Sequence, residues 1–404
     1  MTFFNSKNHL CLSTIKIKPF IYQLNNNYPL NQLTSSVKVT HVDYQKTQVK
    51  RKNKKDTAMT LLDTLNLTYP IVQAPMAGGA TTPELIAAVS NFGGLGSLGA
   101  GTTAPAKIQE QIQQIRALTD KPFAVNLMVL SEAESTTFDA PIPEWLQAYY
   151  EEQDIELTLP ENPAQLFETQ LQVLLDNPVP VASFTFGIIS KEQVAALQAV
   201  GTKVVGTANH PEEAKAWADI GADAVCVQGV EAGGHRGGWL PQSEQDPLGL
   251  LTLISQTKAV TDVPLIAAGG IMTAQAINAV LSAGAEMAQL GTAFLATAES
   301  GVSSAYKAEL LKAATGKRSS QTCLTRLFSG KQARGLVNDY LIKYAAYDND
   351  SLPAYPQLNA MTQPMRGAAS KANNTDYMSL WAGQGVALIQ AEPVATLMQR
   401  LVSQ

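Results

Sequence analysis

From residue 70 onward the chain alternates between two hydrophobic rhythms. Short runs rich in Val, Ile, Leu and Phe end in Gly or a small polar residue: PIVQAP (70–75), LGSLG (95–99), FAVNL (123–127), VASFTF (181–186), KVVGTA (203–208), DAVCVQ (223–228), PLIAAGG (264–270) and MAQLGT (287–292). Longer Ala-rich segments with helical spacing separate them, at 82–92, 104–118, 190–200, 210–220, 247–260 and 273–283. Thr82, Pro83 and Glu84 open the first of these with an N-cap followed by Pro at the first helical position. Runs that are apolar throughout are buried on both faces, and alternating with helices they form a parallel sheet. Eight such units fit an α/β fold of the closed (β/α)₈ TIM-barrel type, which takes roughly 250 residues. An open doubly wound sheet is the alternative, although six strands usually complete it.

Two stretches break the rhythm. Residues 128–179 separate two strand runs by a span longer than an ordinary barrel connection. Residues 301–382 follow the eighth run and carry Trp381 with several Tyr, Asn and Arg. Both read as excursions above the barrel that shape a substrate pocket. The expected organisation is therefore a barrel over 59–300, a substrate-side lid over 301–382, and a closing segment over 383–404. The apolar helix of that last segment, roughly 384–402, is expected to pack back on the barrel.

Composition adds a seam. Residues 1–58 contain no Gly and hold ten Lys and Arg against two acids, Asp43 and Asp56, a net charge of +8. With −5 for the whole chain, residues 59–404 carry −13, and all 28 Gly lie there. The first segment is rich in Asn, Lys and Thr without helix or strand periodicity, which reads as a disordered basic tail. Two other readings stand beside it: a targeting segment, or sequence ahead of a true start at Met59. The acidic remainder argues against a nucleic-acid binder, whose footprint is a basic face. No run of 18 uncharged apolar residues is present, so no membrane span is expected; the expected location is the cytoplasm. Three Cys (Cys11, Cys226, Cys323) and four His (His9, His41, His210, His235) are too few and too scattered for a disulfide framework or a metal site.

In a (β/α)₈ barrel the chemistry lies where the strands end. The seventh and eighth runs end in AAGGI (267–271) and QLGTA (289–293). Glycines there let backbone N–H groups approach an anion, and Thr292 adds a hydroxyl, so the pair of loops reads as a phosphate site; tight turns alone would also use glycine. The first run ends in QAPMAGG (73–79), where Pro75 and Met76 offer a rigid turn and a soft apolar face to a flat ring, or plain packing. Asn126 and Gln228 are amides at strand ends, to be satisfied by a polar ligand or by neighbouring backbone.

The sharpest element is VQGVEAGGHRGG (227–238), which sets His235 in a Gly-rich loop after the sixth run. A histidine placed there takes a proton from carbon, or as imidazolium stabilises a negative substrate. Glu231 and Arg236 are both candidates to orient it. His210 reads as a helix-start residue, Cys226 as core, and Cys323 has no base nearby in sequence.

Taken together, PIVQAPMAGGATTPELIAAVSNFGGLGSLGAG, VNL, VQGVEAGGHRG, AAGGI, QLGTAFLATAESG and YPQLNAMTQPMR resemble the nitronate monooxygenases, formerly called 2-nitropropane dioxygenases. The likeness spans about residues 60–400. The histidine motif and NNTDYMSLWAGQG are similar to the class I branch. The resemblance implies a barrel that binds FMN non-covalently and oxidises alkyl nitronates, such as propionate 3-nitronate, with O₂ through a flavin semiquinone. Carried over by motif, Ala74, Pro75, Met76, Asn126, Gln228, Gly233, Gly234, Gly270, Gln289, Leu290, Gly291 and Thr292 contact FMN. Gly270, Gly291 and Thr292 hold its phosphate. His235 is the catalytic residue: an electrostatic anchor for an anionic nitronate, or the base for a neutral nitroalkane. Tyr355, Asn359, Lys371 and Tyr377 are substrate contacts, or pack the lid. The partners implied are a small-molecule nitronate and O₂, with a homodimer as the expected assembly.

Two other functions compete. An FMN-dependent enoyl-[acyl-carrier-protein] reductase of the related barrel type would share the flavin loops and use NAD(P)H. A non-catalytic flavin-binding protein would have no need of His235.

Overall fold

The computed structural model describes residues 59–130, 140–157 and 165–403; the segment read as a tail, 1–58, lies outside them. Eight strands form one parallel sheet: β1 (Ile71–Gln73), β2 (Gly96–Gly99), β3 (Phe123–Met128), β4 (Val181–Thr185), β5 (Lys203–Ala208), β6 (Ala224–Gln228), then, after a short strand β7 (Gly234–His235), β8 (Leu265–Ala268) and β9 (Met287–Leu290). Their order is β1-β9-β8-β6-β5-β4-β3-β2. A parallel bridge between Val72 and Leu95 joins the two ends, with Gln73 N–H donating to Leu95 O and Leu95 N–H to Ile71 O, each at 2.9 Å. That closure decides for the (β/α)₈ barrel over an open sheet.

Strand alternation sorts the two faces. Val72, Ala124, Val181, Val205, Ala224, Cys226, Ile266 and Met287 fill the barrel interior, closed at one end by Leu61 of the Leu61–Thr64 helix and by Leu65, its C-cap. Their neighbours Ile71, Val125, Val225, Val227, Ala267 and Leu290 point outward into the helix shell. The first shell helix, Pro83–Phe92, starts where the sequence predicts: Thr82 Oγ1 accepts from Leu85 N–H at 3.0 Å, and Gly93 ends it in the left-handed region at φ 107°.

The excursion at 128–179 splits in two. Helix Gln165–Asp176 belongs to the shell, where Leu171 and Leu174 are buried. Helix Glu144–Gln153 instead gives Trp145, Leu146, Tyr149 and Tyr150 to a separate cluster built with Phe328, Tyr340, Tyr344, Leu358, Met361 and Met365. The two interruptions of the barrel rhythm thus share one aromatic core. It stands on a second sheet, in which β10 (Thr322–Thr325) and β11 (Ala333–Leu336) run antiparallel and β11 pairs with β7.

The closing segment departs from the single helix expected over 384–402. A 3₁₀ turn, Gln384–Leu388, precedes a shorter helix, Val394–Val402, because Pro393 excludes helical backbone at the residue before it. That helix buries Val394, Leu397, Met398 and Leu401 in the barrel shell. No helix among the described residues is long and apolar enough to cross a membrane.

Candidate active site

A cavity of about 830 Å³ opens above the C-terminal ends of the strands and under the 301–382 segment. Its volume suits a small-molecule or cofactor site. The described residues that line it carry one formal charge, the Arg366 guanidinium.

One side of the cavity is a glycine cradle. Gly269 and Gly270 leave β8 at φ 123° and 68°, values open to glycine and costly for other residues. Gly291 follows β9, and the N–H groups of Gly270 and Gly291 have no protein acceptor among the described residues. Thr292 Oγ1 accepts from Gly383 N–H at 2.9 Å, which leaves its hydroxyl proton to donate into the cavity. Backbone is packed tightly behind the cradle: a Cβ on Gly233 would lie 2.4 Å from Gly383 N, and one on Gly383 2.8 Å from Glu231 O.

The other side is built around His235. Its ring is walled by Phe186, Tyr355 and Trp381, with centroids 5.6, 5.8 and 5.4 Å away. Its Nε2 lies 2.8 Å from Ser329 Oγ, and that hydroxyl donates to Lys331 O at 3.1 Å. With its single proton so placed, Ser329 accepts from Nε2–H, and Nδ1 becomes the ring's bare lone pair. Desolvation, then the charges of Lys331 and Arg366, lower the His235 pKa to about 3. Without a ligand the ring is neutral at ordinary pH, and the formal charge among the described residues that line the cavity is that of Arg366.

Residues 59–404 match the family model described as nitronate monooxygenase. The chain belongs to that family. It is 40% identical over 328 residues to a probable nitronate monooxygenase of Bacillus subtilis, covering 81% of this chain and 93% of that protein. Among solved structures it is similar to a nitroalkane oxidase from Streptomyces ansochromogenes, at 41% identity and TM-score 0.74, covering 83% of this chain and 95% of that one. FabK from Thermotoga maritima is more distant, at 28% identity and TM-score 0.65, covering 86% and 96%.

As a nitronate monooxygenase family member, the chain is an oxidoreductase, and most of its sequence-predicted site residues gather in this cavity. Ala74, Pro75, Met76, Asn126, Gln228, Gly233, Gly234, Gly270, Gln289, Gly291 and Thr292 all line it, as do Tyr355 and Asn359. Leu290 does not: strand alternation turns its side chain into the helix shell, and its carbonyl accepts from Ala74 N–H at 2.8 Å. Lys371 is exposed at the end of helix Gln363–Lys371, away from the cavity lining. Tyr377 stacks on Tyr149 at 5.1 Å, also away from the lining.

The amides divide. Gln228 is a brace for the histidine loop: its Oε1 accepts from Asn209 Nδ2 and Gly237 N–H, each at 2.9 Å, and its Nε2 donates to His235 O at 3.1 Å. Asn126 Nδ2 donates to Ser183 Oγ at 3.0 Å, and Gln289 Nε2 to Cys226 Sγ at 3.3 Å; neither carbonyl oxygen has a donor among the described residues. Burial pushes the Cys226 thiol up to about 12, so it stays protonated and inert.

Neither candidate orienting neighbour touches the His235 ring. Glu231 caps the helix Leu250–Val260 through Leu250 N–H at 2.9 Å. Arg236 is buried, with Nη1 donating to Gly229 O at 2.7 Å. His210 is the N-cap of helix Pro211–Asp219. The orienting group is Ser329, and sequence reasoning missed it together with Phe186 and Arg366, while Trp381 was singled out only as part of the segment that shapes the pocket. Arg366 ends the quoted motif YPQLNAMTQPMR, and its place after Asn359 at helical spacing was the signal available.

Proposed function

We propose that this protein is an FMN-dependent nitronate monooxygenase that oxidises alkyl nitronates, propionate 3-nitronate among them, with O₂. The carrying observation is the His235 ring lining the cavity, with Nε2 on Ser329 and no partner for Nδ1 among the described residues. The residues present fit FMN. The free N–H groups of Gly270 and Gly291, with the Thr292 hydroxyl, suit its phosphate. The free carbonyl oxygens of Asn126 and Gln289 suit hydroxyl and ring N–H donors, and Pro75 and Met76 supply an apolar face. Ala74, Gly233, Gly234 and Gln228 complete that side. When bound, FMN supplies the one-electron chemistry that links nitronate to O₂.

The chain's own residues do the rest. Toward a neutral nitroalkane, His235 Nδ1 takes the proton from the carbon beside the nitro group, and Nε2 keeps its own proton on Ser329. Toward a preformed nitronate no proton need move, and His235 serves as part of the wall that positions the reacting carbon. Phe186, Tyr355 and Trp381 exclude water around that carbon. Asn359 braces Arg366, through Oδ1 at 2.9 Å and the backbone carbonyl at 2.7 Å.

An anaerobic absorbance titration of the purified protein tests this reading. Propionate 3-nitronate should change the visible spectrum of the bound flavin, and NADH and NADPH should leave it unchanged. The reverse result would assign the enoyl-reductase function. His235→Asn should lower kcat/KM for a neutral nitroalkane by about 10²–10⁴-fold; full activity in that variant would fit the non-catalytic reading of His235 instead.

A further inference from the structure

We infer that Arg366 is the substrate-selecting residue of this site, the receptor for a second anionic group, a carboxylate, on the tail of the nitronate. This deepens the nitronate reading above and rests on it. Three observations carry the inference.

The first is electrostatic. Arg366 is half-buried at the cavity, desolvation lowers its pKa, and among the described residues no carboxylate comes within salt-bridge distance of it. Its electrostatic neighbours among the described residues are the phenols of Tyr340, Tyr150 and Tyr355, and burial raises the pKa of Tyr340 and Tyr150, which keeps those two neutral. A guanidinium does not surrender its proton in such a place. A desolvated and unneutralised cation is costly to hold, and an anion entering the cavity offsets that cost.

The second is the hydrogen-bond inventory. Nε donates to Thr362 Oγ1 at 3.2 Å, and Nη2 donates to Asn359 O at 2.7 Å and Asn359 Oδ1 at 2.9 Å. These bonds fix the plane of the guanidinium. Among the described residues Nη1 has no acceptor, and Arg366 lines the cavity, so one donor edge is left for a ligand.

The third is position. The three rings that touch His235 are Phe186, Tyr355 and Trp381, and Arg366 reaches His235 only through its charge. A ligand whose reacting carbon meets His235 therefore meets Arg366 farther along its length. A short nitronate with a terminal carboxylate has its two negative ends arranged for that pair, whereas an alkyl nitronate leaves Arg366 unneutralised.

The test compares propionate 3-nitronate with propyl-1-nitronate, which lacks the carboxylate, on the full flavin-loaded protein and on Arg366→Gln. The ratio of the two kcat/KM values should fall by roughly 30-fold or more in the variant, the scale of truncating one partner of a desolvated ion pair. Equal losses on both substrates would mean that Arg366 holds the nitronate group itself, and no loss would mean that it is structural; either overturns the inference. Calorimetric titration of succinate, which carries two anionic ends and does not react, reads the same site without turnover. Succinate should bind the parent protein and lose that binding in Arg366→Gln; a parent that does not bind it overturns the inference. Should Arg366→Gln not fold, Arg366→Lys retains the charge without the planar fork, and the ratio should fall in the same direction. A parent protein that turns over neither nitronate while still binding succinate through Arg366 would sink the nitronate reading and leave the anion site standing.

Discussion

His235 Nε2 and Ser329 Oγ lie 2.8 Å apart although 94 residues separate them in the chain. The contact exists because β7, which carries His235, pairs with β11, just after the loop that carries Ser329. One hydrogen bond thereby sets both the tautomer and the direction of the ring. Ser329→Ala should lower kcat/KM by about tenfold, the value of a single hydrogen bond. Ser329→Thr, which keeps the hydroxyl, should restore most of it. Steady-state kinetics with a nitroalkane will show whether the hydroxyl or merely the packing matters.

The depressed His235 pKa has a thermodynamic signature. The folded ring titrates at about 3 and the unfolded one near the ordinary value of 6.5. Between those values the unfolded chain binds more protons, so the stability held above about pH 6.5 is progressively lost as pH falls toward 3. Urea midpoints from about pH 7 to about pH 4 should decline more steeply for the parent than for His235→Gln, which has no ring to protonate. Parallel declines would show that His235 titrates normally in the folded state.

The glycine cradle predicts cofactor loss ahead of unfolding. Thr292→Val removes the acceptor of Gly383 N–H and the hydroxyl facing the cavity. Flavin affinity, read by fluorescence on release, should fall roughly 10-fold or more. Gly383→Ala should be more severe, because its Cβ would lie 2.8 Å from Glu231 O and 3.0 Å from Gly233 N. Those neighbours are backbone and cannot turn aside.

Glu213 ties the histidine loop to the barrel. Its buried carboxylate accepts from Asn209 N–H at 2.6 Å, His210 N–H at 3.1 Å, and Trp239 and Leu240 N–H at 2.7 Å each. Glu213→Gln keeps the shape but replaces one acceptor oxygen with a donor facing N–H groups. The expected cost is about 3 kcal/mol, from N–H groups left unpaired, measured by denaturant unfolding.

The sequence by itself determined the barrel and the positions of its reactive ends. Apolar runs such as KVVGTA and DAVCVQ can be satisfied only by burial on both faces, and eight of them leave few architectures. The glycines after β8 and β9 and the His235 loop were legible for the same reason: local backbone demands are written in local residues. Tertiary structure decided what those residues do. Lys371 and Arg366 stand five positions apart on one helix, about 140° around its axis at 3.6 residues per turn, so helical phase put Arg366 into the cavity and Lys371 outside it. The proton inventory of His235 likewise came from Ser329, Lys331 and Arg366, all remote in sequence. A pKa is set by the charges and the solvent around a group in space. Those are fixed only once distant segments, here β7 and β11 with the helix Glu144–Gln153 and the aromatic cluster it joins, have folded against one another.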